Sequence, residues 1–130
     1  MPLPVPAYEL SVKGRALLRV IVIEIRSGRI IAGDSLSFIP YSEALAALGQ
    51  PKPKLFSGRR LQSHGLTDLN EWTKASIGIP NVCGLIVNKS SHRPSDGHPE
   101  SHGLPSIANW KRWWMDQTAT AIVFDWTPFL

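Results

Sequence analysis

The chain has 130 residues, 43% of them hydrophobic and 18% charged, a balance that excludes intrinsic disorder because a disordered chain has too little apolar surface to offset its ordering entropy. Fourteen Lys and Arg stand against ten Asp and Glu, a net charge of +4, which suits a polyanionic partner without requiring one. The size allows one core, so a single α+β domain over residues 11–130 is expected after an extended lead-in over residues 1–10.

The lead-in, Met1-Pro2-Leu3-Pro4-Val5-Pro6, has neither the charged leader nor the small-residue cleavage site of a signal peptide. Its three prolines predict an extended, poorly ordered segment. Ser11 is a candidate N-cap for the apolar stretch Ala16–Arg26. Within that stretch Ala16, Leu17, Val20, Ile21 and Glu24 fall at helical spacing, whereas the β-branched run Val20-Ile21-Val22-Ile23 suits a buried strand. Length favours a helix closing at Ser27-Gly28. Arg19 and Glu24 interrupt the stretch, which is also too short for a bilayer span.

Gly33-Asp34 reads as a turn before a short extended segment, Leu36–Ile39, that Pro40 ends. Ser42 then caps a short Ala/Leu helix, Glu43–Leu48, stopped by Gly49 in a left-handed position. Pro51 and Pro53 exclude helix over the next stretch. A longer helix opens at Ser57 and runs toward Ser76 with a break at Gly65, its apolar positions being Leu61, Leu66, Leu69, Trp72 and Ile77. Val82–Val87 has the composition of a strand, and residues 88–105 are nearly all loop formers. Ser106 caps a last helix bearing Ile107, Trp110, Trp113, Trp114 and Met115, and Thr120–Phe124 reads as a closing strand.

The segment Tyr41-Ser42-Glu43-Ala44-Leu45-Ala46-Ala47-Leu48-Gly49 resembles the first helix of a helix-turn-helix. The order of elements over residues 11–105 resembles a winged helix-turn-helix: helix, short strand, Ala/Leu helix, basic second helix, strand, long loop. The connection from Gly49 to Phe56 departs from the tight turn of three to four residues and holds two prolines. The resemblance implies three to four helices, a small antiparallel sheet and a long loop at about 88–105. It also implies nucleic-acid binding, most naturally of duplex DNA, through the N-terminal turn of the second helix. Arg59 and Arg60 would meet bases or phosphates, Lys52 and Lys54 the flanking backbone, and Lys89 and Arg93 an adjacent groove from the wing. Charge distribution agrees: from residue 26 to 60 six basic residues (Arg26, Arg29, Lys52, Lys54, Arg59, Arg60) face two acidic ones, Asp34 and Glu43.

Two other groupings suggest different functions. Trp110, Trp113 and Trp114 form a stripe at i, i+3 and i+4, a core face first, yet with Trp126 and Phe129 they also make a candidate protein interface, of an adaptor, a small inhibitor or a homodimer. His92, His98 and His102, with Asp96 and Glu100 between them, are the only grounds for a metal-dependent hydrolase. Pro94, Gly97 and Pro99 leave that set without fixed ligand geometry, so no metal, cofactor or catalytic residue is assigned. Cys83, the only cysteine, lies among aliphatic residues and is expected to be buried and structural, which fits a reducing cytoplasm.

Overall fold

A computed structural model of the chain describes residues 3–51, 57–94 and 107–130. Its first helix, α1, spans Val12–Arg26 and buries Gly14, Leu17, Leu18, Ile21 and Val22. These positions recur at i, i+3, i+4, i+7 and i+8, one continuous stripe, and burial of that stripe overrides the β preference of Val20–Ile23. The Ser11 hydroxyl oxygen caps α1 by accepting from Gly14 N at 3.1 Å, and the hydroxyl donates to Asp68 Oδ2 at 2.5 Å. One side chain therefore satisfies an orphan helix N–H and ties α1 to a helix more than fifty residues away.

After Gly28, which takes a positive φ of 81°, Asp34 accepts from Leu36 N and shapes a 3₁₀ turn over Ser35–Ser37. Much of the segment expected to be extended is thus a tight turn, and only Ile39–Pro40 forms a strand, β1. Pro40 belongs to that strand rather than ending it. At φ −62° and ψ 146° it leads directly into α2, Tyr41–Ala47, which begins one residue before the expected Ser42 cap and has no side-chain cap. Gly49 has the left-handed φ of 76° that its place after the helix predicts.

Helix α3 covers Ser57–Leu61 and α4 covers Thr67–Ala75. Between them the helical trace breaks at His64 and at Gly65, whose φ is 114°. At that point the backbone passes directly over Lys13 and Gly14 of α1. Downstream, Asn81 organises the chain: its carboxamide donates to Asn70 Oδ1 and Thr73 Oγ1 and accepts from Gly84 N, while its own N–H donates to Gln117 Oε1. The apolar run Val82–Val87 is entirely buried, but Cys83–Leu85 curls into a 3₁₀ turn and only Ile86–Val87 remain as strand β2.

Strands β1 and β2 pair in parallel, Ile39 with Ile86 and Pro40 with Val87, which corrects the expected antiparallel sheet. The reason is topological. The chain between them runs through α2, α3 and α4, and such a helical crossover returns the second strand in the direction of the first. The expected closing strand is a second correction, because α5 continues from Ile107 to Val123. Trp110, Trp114, Thr118 and Ala121 form its buried stripe. Thr118 and Thr120 return their hydroxyls to the carbonyls of Trp114 and Asp116, each at 2.9 Å, so Thr120, which opens the expected strand, is satisfied inside the helix. The Ser106 cap lies outside the described residues. One core results, built around Leu17, Leu18, Ile21, Phe38, Leu45, Leu61, Leu69, Trp72, Leu85 and Ile86.

The lead-in is held in place by hydrogen bonds. Val5 and Ile77 exchange both backbone hydrogen bonds, at 2.7 and 2.9 Å, Ala7 N donates to Ser76 Oγ, and Trp72 Nε1 donates to the Tyr8 carbonyl. Since the Val5 groups face Ile77, those of Pro4 and Pro6 face outward, where proline has no N–H to offer. The alternation of prolines strips donors from the outer edge of this extended segment, a protection against pairing with other chains. The double variant Pro4→Ala/Pro6→Ala is expected to associate with increasing concentration in sedimentation velocity. An unchanged size distribution would remove this role from the prolines.

Candidate nucleic-acid interface

Helix α3 turns Leu61 into the core and leaves Arg59 and Arg60 exposed. It is seated on α2 through Gly58, whose Cα lies over the Tyr41 ring so closely that a methyl group there would touch two ring carbons at 3.4 Å. Among the described residues Arg60 has no ion-pair partner. Lys52 and Lys54, expected to grip flanking phosphates, lie outside the described residues.

Lys89 and Arg93 are exposed on the turn that follows β2. The turn is closed by Asn88 N donating to Arg93 O at 2.9 Å and His92 N donating to Asn88 O at 2.8 Å, with His92 in the left-handed region at φ 54°. Among the described residues this segment is a turn with no strand pairing, and the rest of the expected wing, residues 95–105, lies outside them. The parallel register has a different consequence: the carboxyl ends of β1 and β2 lie together, so the start of α2 at Tyr41 sits beside Asn88. Tyr41 in turn supports Gly58. Tyr41 thus stands between the ends of the two strands and the first turn of α3, while the Asn88–Arg93 turn continues directly from β2.

Not all of the basic excess contributes to this end. Arg29 is held between two carboxylates, with Glu43 in direct contact and Glu24 at 3.3 Å. Its hydrogen bond to Glu43 raises its already high pKa, with Glu24 acting in the same sense. Arg26 donates to Thr127 Oγ1 at 2.9 Å. These two cations fasten the end of α1 and are engaged in structure.

The aromatic residues divide. Trp110, Trp114 and Trp126 are 6%, 5% and 2% exposed, whereas Trp113 and Phe129 are half-buried. Trp114 donates to Gly84 O at 2.7 Å and meets Phe38 edge-on, and Trp126 donates to Ala121 O at 2.8 Å. Three of the five rings of the candidate interface are thus core members, and the indole N–H groups of Trp114 and Trp126 are satisfied internally. Cys83 is buried as expected, and burial pushes its thiol pKa far up, which removes thiolate reactivity.

Of the histidine set, His92 is half-buried in its turn, and His98, His102, Asp96 and Glu100 lie outside the described residues. Among the described residues no three His, Cys, Asp or Glu side chains come together as metal ligands, and no helix is long and apolar enough to cross a membrane. Sequence reasoning missed Tyr41 and Gly58 as the seat of α3, and Asn81 as the pin between α4 and α5. An Asn ahead of a buried apolar run is a recognisable signal for the last of these. No protein-family model matches the chain, and neither a curated protein nor a solved structure is significantly similar to it.

Proposed function

We propose that the chain is a non-enzymatic nucleic-acid-binding module of helix-turn-helix type, in which α2 braces α3 against a duplex. Arg59 and Arg60 contact phosphates and base edges, Lys89 and Arg93 reach the flanking backbone from the turn after β2, and Lys52 and Lys54 extend the positive strip. What supports this reading is that Tyr41, which opens α2 beside the carboxyl ends of both strands, packs its ring under Gly58 next to Arg59-Arg60, while Lys89 and Arg93 follow β2 directly. Two arginines side by side on an exposed helical turn suit phosphate oxygens, because the planar guanidinium forms paired charge-assisted bonds. In this reading α2 and α3 form the helix pair, and the Asn88–Arg93 turn opens the loop that serves as the wing.

Counterion release makes this testable. Four cations on phosphates give a slope of log K against log salt of about −3.6, and six give about −5.4. Affinity for a labelled duplex is therefore expected to fall roughly hundredfold to thousandfold between about 50 and about 200 mM salt. Arg59→Ala/Arg60→Ala should reduce the slope by about 2. Fluorescence anisotropy measures both. Absence of binding at the lower salt, or a slope that ignores the double substitution, would defeat the proposal.

A further inference from the structure

Away from the basic end of the sheet, two clefts open on either side of Tyr8 and Glu9. One, of ≈ 260 Å³, is walled by Tyr8, Glu9, Asp68 and Glu71 with the hydroxyls of Ser11 and Thr67. The other, of ≈ 210 Å³, is walled by Pro6, Tyr8, Pro128 and Phe129 over a floor that includes Trp72. Tyr8 and Glu9 belong to both, so the clefts adjoin. In a chain of net charge +4, the first collects three carboxylates. Among the residues that line either cleft the one cation is Arg15, which pairs with Glu9 at 3.5 Å.

We infer that the two clefts together form a docking site for an extended peptide in which a lysine or arginine stands next to a proline or other apolar residue. The cation lies on the Asp68–Glu71 side of Tyr8 and the apolar residue on the Phe129 side. Charge complementarity selects the occupant: with Glu9 paired to Arg15, Asp68 and Glu71 remain on a positively charged protein to attract a cation locally and reject acidic segments. The Tyr8 ring, half exposed at 50%, offers the π-face over which an ammonium or guanidinium is favoured. Beyond it, prolines and aromatic rings make the kind of wall against which extended, proline-containing segments pack at low entropic cost.

The site is held in place before any ligand arrives. Trp72 Nε1 fixes the Tyr8 carbonyl at 2.9 Å, Ser76 Oγ fixes Ala7 N at 3.0 Å, and Phe129 packs edge-on against Trp72 with centroids 5.4 Å apart. A preformed wall of this kind reduces the ordering cost of binding. Pro6 offers no N–H and Ala7 N is already bonded to Ser76 Oγ, which disfavours strand addition here and leaves recognition to side chains. No residue of the site belongs to the proposed nucleic-acid face, and the two activities are separable.

The probe is a fluorescein-labelled peptide rich in proline with two arginines, compared with one in which glutamate replaces arginine and one in which glycine and serine replace proline. Saturable binding of the first is expected, with the other two weaker by about tenfold or more. Glu71→Lys and Tyr8→Ala should each weaken it by about tenfold, since like charge and loss of the shared wall both act at the centre of the site. Both side chains reach solvent, so the thermal midpoint is expected to stay close to that of the parent. Arg59→Ala/Arg60→Ala should leave peptide binding unchanged, which separates failure of this site from failure of the nucleic-acid face. The inference is overturned by absence of saturable binding, by equal binding of the glycine–serine peptide, which would mean diffuse attraction to acid, or by indifference to both substitutions.

Discussion

Gly65→Ala is expected to destabilise the protein by about 3 kcal/mol, a sum of roughly 1–2 kcal/mol for a side chain at positive φ and 1–3 kcal/mol for overpacking. The φ of 114° is one part of the cause. The other is contact: a Cβ on Gly65 would press into the carbonyl oxygen of Lys13, lie 2.8 Å from its carbon and 3.3 Å from Gly14 N. Those atoms are helix backbone and cannot swing away as a flexible side chain would. Gly49→Ala is the matched comparison, because Gly49 has φ 76° with nothing within 4 Å of an added Cβ. It carries the conformational strain alone and should cost about 1 kcal/mol. At roughly 4 °C per kcal/mol for a chain of this size, the two midpoints should fall by roughly 12 and roughly 4 °C in thermal melts. Equal shifts would show that the passage of residue 65 over α1 is not a tight contact.

The second large effect concerns the tryptophans. Trp114→Ala is expected to cost about 3–5 kcal/mol, as truncation of a large buried aromatic does. Against a typical total of about 5–15 kcal/mol, this brings the chain close to unfolding. The ring lies flush on Gly84, where an added Cβ would come within 2.7 Å of its Cδ1, and its N–H satisfies the buried Gly84 carbonyl. Trp114→Phe keeps most of the volume but strands that carbonyl, for about 1–3 kcal/mol. Trp113→Ala, at a half-buried position one residue away, should cost roughly 1 kcal/mol or less. Urea denaturation monitored by circular dichroism ranks the three. A Trp114→Ala protein as stable as its parent would return this ring to the candidate interface and take it out of the core.

These two cases show what kind of information the residues carry locally. The stripe of α1, the Ser11 cap, the stop at Gly49, the break near Gly65 and the burial of Cys83 can all be read along the chain. Each depends on neighbours within a turn or two, through side-chain spacing, a cap or a required φ. A β-branched run that suits two structures is decided by length, and the structure agrees with the helix. Arg59 and Arg60 are likewise legible as an exposed basic turn, since Leu61 is the apolar position that α3 turns inward.

Only the tertiary structure decided the rest, and in each instance the deciding partner is distant in sequence. Thr120–Phe124 has strand-like composition, yet Thr118 and Ala121 continue the buried stripe of Trp110 and Trp114, so packing keeps Thr120–Val123 helical. The direction of β2 follows from the helices that intervene after β1, which no property of Val82–Val87 encodes. That direction alone brings Lys89 and Arg93 to the end of the sheet where Tyr41 holds α3. Arg29 counts as free charge in the sequence and is bound by Glu24 and Glu43 in the fold. The residues of the chain thus determined a small basic α+β domain and the positions of its charges. Long-range packing, which carries no local pattern, decided which charges remain available and that Tyr8 and Glu9 meet Asp68 and Glu71 across the N-cap of α1.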